Sequence, residues 1–115
     1  MADQTATFFE SLRRRGHEPL LELAEGTLRF DLANGGDVAH WFVSVDKGDV
    51  TVSRSRRKAD CRIRGPKAVF EGIATGEINA MAAALRGAIV VEGDAELLTL
   101  FQRVLPGPPS SKETP

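Results

Sequence analysis

The chain has 115 residues, 42% of them apolar and 27% charged, with 15 basic against 16 acidic side chains and a net charge of −1. That length fits one domain able to bury about 65% of its unfolded surface, and the near-neutral balance excludes a general pull on nucleic acid. A single cysteine, Cys61, excludes an intrachain disulfide; the opening MADQTATFF carries an acid and no long apolar run, so neither a signal peptide nor a membrane span of about 20 residues is expected.

Asp3 is a candidate helix N-cap, and Phe8, Phe9 and Leu12 give the helix behind it an apolar face. Arg13, Arg14 and Arg15 suit the negative end of its dipole, and Gly16 stops it. Pro19 to Ala24 is read as a short helical turn. The hydrophobic period then changes to two. In Thr27 to Leu32, Leu28, Phe30 and Leu32 face one way, and Thr27, Arg29 and Asp31 the other. ANGGD, Ala33 to Asp37, is a turn signal. In His40 to Asp46, Trp41, Val43 and Val45 alternate with His40, Phe42, Ser44 and Asp46. DKGD turns the chain into Val50 to Ser53. A basic loop, RSRRK, leads to Ala59–Arg64, with Ala59, Cys61 and Ile63 inward and Asp60, Arg62 and Arg64 outward.

Gly65-Pro66 breaks that strand, with Pro66 in the first turn of a helix whose stripe is Val69, Phe70, Ile73 and Ala74 and whose end is Gly76. Ile78, Met81, Ala82 and Leu85 fall at i, i+3, i+4 and i+7 and predict a third helix, stopped by Gly87. Ala88 to Glu92 reads as a strand. The last helix opens near Asp94, and Leu97, Leu98, Leu100, Phe101, Val104 and Leu105 cover about 160° of it. Pro106 and Gly107 end it, leaving a disordered tail over residues 108–115. One-sided helices beside strands with one apolar face give an α+β domain, helices on one face of the sheet, over residues 1–107.

No catalytic set emerges. His17 and His40, the two histidines, read as cap or surface residues, and no spacing supports a metal site. Cys61, among apolar strand positions, reads as a small buried hydrophobe rather than a nucleophile. No phosphate loop of known spacing is present. The basic run Arg54, Arg56, Arg57, Lys58, with Arg62 and Arg64 beyond it, is either a solvated loop and outer face or a patch for anionic headgroups or coenzyme A phosphates. The alanine-rich helix INAMAAALRG leaves a similar choice. It is either a close helix–sheet contact or the wall of a ligand cavity.

The segment from about Phe8 to Leu105 resembles the sterol carrier protein 2 family. The resemblance is carried by GTLRFDLA (Gly26–Ala33), HWFVSVDKGDVTV (His40–Val52), ADCRIRG (Ala59–Gly65), FEGIATGEIN (Phe70–Asn79) and LRGAIVVEGDAELLTLF (Leu85–Phe101). It implies a five-stranded, mostly antiparallel sheet in the order 3-2-1-4-5, with an apolar tunnel between sheet and helices. It also implies non-enzymatic binding and transfer of a fatty acid, fatty acyl-CoA or sterol-like ligand, with no cofactor. The lining expected on that basis is Phe30, Trp41, Val43, Phe70, Ile73, Ile78, Met81, Ala82, Leu85, Ile89, Val91, Leu97 and Phe101, with the terminal helix as gate. Arg54, Arg56, Arg57 and Lys58 are the expected headgroup or anionic-membrane surface.

Two departures matter. Many members carry proline then glutamine after the asparagine matching Asn79, and an aromatic before the leucine matching Leu85; here these positions hold Ala80, Met81 and Ala84. A tunnel lacking the glutamine is wider and more uniformly apolar if Met81 faces inward, and a tryptophan at Ala82 or Ala84 is expected to obstruct it. The ending Glu113-Thr114-Pro115 is not a peroxisomal tripeptide, so a cytoplasmic location is expected. The alternative is an interaction module with a filled core, an accessory to a larger enzyme or a quinone or lipid biosynthesis assembly.

Overall fold

A computed structural model describes residues 3–105 of the chain. Helix α1 (Gln4–Arg15) is capped by Asp3, whose carboxylate accepts the Ala6 N–H at 3.1 Å, and Gly16 at φ 68° ends it after three arginines. A single 3₁₀ turn, Pro19–Leu21, stands where a short helical turn was expected.

Strands β1 (Glu25–Asn34), β2 (Asp37–Asp46) and β3 (Asp49–Ser53) form an antiparallel meander. On the other side of β1, β4 (Cys61–Pro66) runs parallel to it, and β5 (Val90–Gly93) pairs antiparallel with β4. The order is β3-β2-β1-β4-β5, as expected. Leu28, Phe30, Leu32, Trp41, Val43, Val45, Cys61 and Ile63 are all buried on the inner face, so the period-two phase is correct in β1, β2 and β4; Val50 and Val52 of β3 are buried there too.

Several boundaries differ from expectation, three of them for a clear local reason; β4 also runs through the Gly65-Pro66 expected to break it. Ala33, Asn34 and Asp37 belong to the β1–β2 ladder rather than to the turn, because Gly35 and Gly36 alone complete the reversal. Asp60 leaves the strand to clip its neighbours. Its carboxylate accepts the Thr27 N–H at 3.0 Å and the Thr27 hydroxyl at 3.2 Å, and its carbonyl accepts the Asp94 N–H at 2.8 Å. Gly93, at φ 88°, lies against that same carbonyl with no room for a Cβ. Ala88 and Ile89 donate back to the Ala83 carbonyl at 2.8 and 3.4 Å, so they finish the preceding helix and β5 starts only at Val90.

Helix α2 (Lys67–Thr75) follows Pro66, which ends β4 and serves as N-cap rather than sitting in the first turn. Gly76 in the left-handed conformation ends α2. Helix α3 (Ala80–Leu85) is capped by Asn79, whose Oδ1 accepts the Ala82 N–H at 2.9 Å. Helix α4 (Ala95–Phe101) is capped by Asp94 and runs on as a 3₁₀ turn, Gln102–Val104. The expected tail, residues 108–115, lies outside the described residues. No helix among the described residues is long and apolar enough to cross a membrane.

Candidate functional site

The layer between the sheet and the helices is built on aromatic rings. Phe9 of α1 stacks on Trp41 of β2 at 4.6 Å between centroids and on Phe70 of α2 at 5.4 Å. Phe30 of β1 meets Phe9 and Phe70 edge-on at 5.1 and 5.5 Å and Phe101 of α4 at a tilt at 5.6 Å. Phe8, partly buried, reaches Phe70 and Phe101 at 5.9 and 6.2 Å. Stacked and edge-on pairs of this kind stabilise beyond their buried area, and they fix α1, α2 and α4 against one sheet face.

Of the expected lining, Phe30, Trp41, Val43, Phe70, Ile73, Ile89, Leu97 and Phe101 are buried in this layer, and Ile78, Met81 and Val91 pack partly buried against it. Two residues do not join them. Leu85 is 88% exposed, and Ala82 also faces solvent. The expected stripe took its phase from Ile78, but Ile78 precedes the Asn79 cap and is not helical. The six-residue helix turns Ala80 and Ala83 inward, with Met81 and Ala84 at the margins. Ile78 instead packs on Gly72 of α2. Phe9, absent from the expected lining, makes the closest ring contacts of the layer; its place beside Phe8 and Leu12 on the apolar face of the first helix is the signal that could have marked it.

Gln102 also carries a long-range contact that nothing in its sequence surroundings marks. Its side-chain carbonyl accepts the Met81 N–H at 3.1 Å, so the turn that follows α4 holds the start of α3.

The outer face is polar. Asp31, 6% exposed, accepts Nε–H of Arg29 at 2.9 Å, Nε–H of Arg62 at 2.6 Å and a hydrogen bond from Nδ1 of His40 at 2.7 Å. Burial would raise its pKa, but the hydrogen bonds from Arg29, His40 and Arg62 outweigh that and hold it below the ordinary carboxylate value. His40 is therefore a hydrogen-bond partner of Asp31 rather than a free surface residue. His17 lies between Asp49 (2.7 Å) and Glu22 (3.3 Å), whose hydrogen bonds raise its pKa.

The basic run does not act as one patch. Arg54 lies 4.2 Å over the Trp41 ring and donates to the His40 carbonyl. Arg57 lies 4.6 Å over Phe42, which is buried beneath it and so offers no exposed ring for base stacking. Arg56 and Lys58 remain exposed beside Arg29 and Arg62. Cys61 is fully buried, and burial with the nearby Asp94 charge pushes its thiol up to about 11, the state of an inert core residue. Among the described residues no group of three or more His, Cys, Asp or Glu is placed to hold a metal ion.

Residues 9–106 match the SCP-2 sterol transfer family. No curated protein matches the chain. Among solved structures, the sterol carrier protein domain 2 of Helicoverpa armigera is similar at a TM-score of 0.72 and 22% identity, over 87% of this chain and 86% of that one. Sterol carrier protein 2 of Aedes aegypti, in complex with palmitate, is similar at 0.67 and 20% identity, over 90% and 94%. A stereoselective inverting sec-alkylsulfatase from Pseudomonas sp. is similar at 0.70 and 22% identity, over 87% of this chain but only 16% of that enzyme.

Proposed function

The chain belongs to the SCP-2 sterol transfer family, and from that membership we propose that it binds and carries a lipid in the apolar layer between sheet and helices, without a catalytic step. The observation that carries this reading is the make-up of α3: its buried positions hold only Ala80 and Ala83, so α3 puts little side-chain volume into the layer. Alanine fills the least volume of any apolar side chain with a Cβ. A guest chain needs that volume, and the surrounding rings and aliphatic groups would supply its contacts.

The driving force is removal of methylenes from water. Each contributes about 0.8 kcal/mol, so about fifteen give roughly 12 kcal/mol before the cost of association, enough for micromolar affinity. The proposed contacts are Phe30, Trp41, Val43, Phe70, Ile73, Ile89, Leu97 and Phe101, with Ile78, Met81 and Val91 at the margin. The Aedes aegypti neighbour holds palmitate; an acyl chain of that class is the proposed ligand here. The proposed setting is a reducing cytoplasm, which suits a buried free thiol.

Mass spectrometry of the purified protein, native and then after organic extraction, tests the reading. A co-purifying acyl lipid near one per chain supports it. A clean apo mass, with no uptake of a fluorescent fatty acid, overturns it. That second outcome would favour an accessory module instead, a reading supported by the alkylsulfatase, in which this fold is a small part of a larger enzyme chain.

A further inference from the structure

The sheet face turned away from the helices carries a furrow that lipid binding does not use. A depression of about 460 Å³ is lined by Arg29, Arg56, Lys58 and Arg62 with Glu92 as its one carboxylate. A second depression, about 600 Å³, shares Arg56 and Arg62 with it and adds Arg64 and His40, against the carboxylates of Asp31 and Asp37. The two form one furrow between the 54–58 loop and the outer sheet face.

Its floor is held in place. Arg29 and Arg62 both hydrogen-bond the buried carboxylate of Asp31 through Nε. Arg29 also gives Nη1 to the Arg56 carbonyl at 2.8 Å, pinning the loop above the sheet. Arg62 approaches Glu92 only at 3.6 Å, and Glu92 is shared with Arg64 at 3.2 Å. The remaining guanidinium N–H groups of Arg29 and Arg62 are thus oriented by their own Nε bonds but not consumed. Arg56 and Lys58, above them, form no ion pair among the described residues.

We propose that this furrow binds a dianionic phosphate group, a phosphate monoester or a diphosphate. Guanidinium forks match phosphoryl oxygens bidentately, and two forks held by one buried carboxylate meet such a group without having to be ordered first. Two uncompensated cations at the rim, Arg56 and Lys58, ask for a ligand of about two charges, whereas Glu92 in the wall disfavours a weakly charged one. The site is concave, which suits a discrete group rather than a flat surface, and Phe42 lies covered beneath Arg57, which disfavours single-stranded nucleic acid. The proposal is independent of what the inner layer holds, because the sheet separates the two.

The test titrates inorganic pyrophosphate into the full chain by calorimetry. It compares the wild type with Arg56→Ala/Lys58→Ala, which removes two exposed side chains but keeps the Arg56 carbonyl, and with Arg13→Ala/Arg14→Ala, which removes the same charge from α1. Circular dichroism confirms that each variant is folded. A saturable 1:1 isotherm, weakened at least about tenfold only in the loop variant, supports a soluble phosphoester ligand. If pyrophosphate fails but phosphatidylcholine vesicles containing phosphatidic acid retain the wild type and release only the loop variant, the phosphate is presented by a lipid headgroup. No binding to either probe, or equal weakening in both variants, overturns the proposal.

Discussion

The backbone N–H of Met81 donates to the side-chain carbonyl of Gln102 at 3.1 Å, tying the first turn of α3 to the turn that follows α4. Without Gln102 the Met81 donor is one of the N–H groups that a helix start leaves without an intrahelical partner. Gln102→Ala is expected to cost about 1 kcal/mol of stability and to speed amide exchange across Met81–Leu85 while leaving β1 and β2 protected. Hydrogen exchange followed by mass spectrometry reads this directly; unchanged exchange in α3 would show that the bond holds nothing.

The ring stack predicts a sharp contrast between two large apolar residues. Phe9 is fully buried against Trp41, Phe30 and Phe70, and Phe9→Ala should cost about 3–5 kcal/mol. Leu85→Ala should fall within about 0.5 kcal/mol of wild type, since the side chain is already in solvent. Urea denaturation of the two variants settles the order.

The turn of α3 moves the test of the lipid reading to a different alanine. Ala83 is fully buried and Ala82 exposed, so bulk added at Ala83 enters the layer and bulk at Ala82 does not. Ala83→Leu is expected to lower uptake of a fluorescent fatty acid several-fold in a folded protein, and Ala82→Trp to leave uptake unchanged. Equal uptake by both folded variants would remove α3 from the proposed wall. Ala83→Val guards against a leucine variant that fails to fold.

Asp31 gives the fold an acid-side dependence. Its pKa lies below the ordinary value of about 3.9. Its ionised interactions therefore support the fold fully above that value and are lost as pH falls through the lower folded value. Asp31→Asn should be less stable than wild type at neutral pH by about 1–2 kcal/mol, and the gap should narrow below about pH 4. Thermal melts from pH 7 to 2.5 check the sign; a gap that stays constant would contradict it.

Much of this was legible in the residues. Period-two alternation set the inward face of β1, β2 and β4, and Asp3, Asn79 and Asp94 mark helix starts by capping chemistry that is local in sequence. What was not legible depended on partners far along the chain. The phase of α3 follows from the Asn79 cap and from Ala83 closing onto Ala88, so bulk at Ile78 and Leu85 misled. Arg29 and Asp31 read as ordinary outward residues of β1 until β4, some thirty positions later, brings Arg62 beside them. The division of the basic run, with Arg54 and Arg57 on rings and Arg56 and Lys58 over the furrow, is set by the loop's path and not by its composition.

Phe101 meets Phe8 edge to face and Phe30 at a tilt, so the inner layer is closed by a residue made long after the strand it covers. During synthesis the meander of β1 to β3 can pair as soon as it emerges, and α1 and then α2 cover part of its apolar side, but the part under Phe101 stays open until α4 follows. A nascent chain at that stage leaves Phe30 and its neighbours open on the side that α4 will cover, the kind of apolar surface that holding chaperones recognise. Ribosome-stalled chains ending before Ala95 should therefore be captured by such a chaperone, and chains stalled well past Phe101 released.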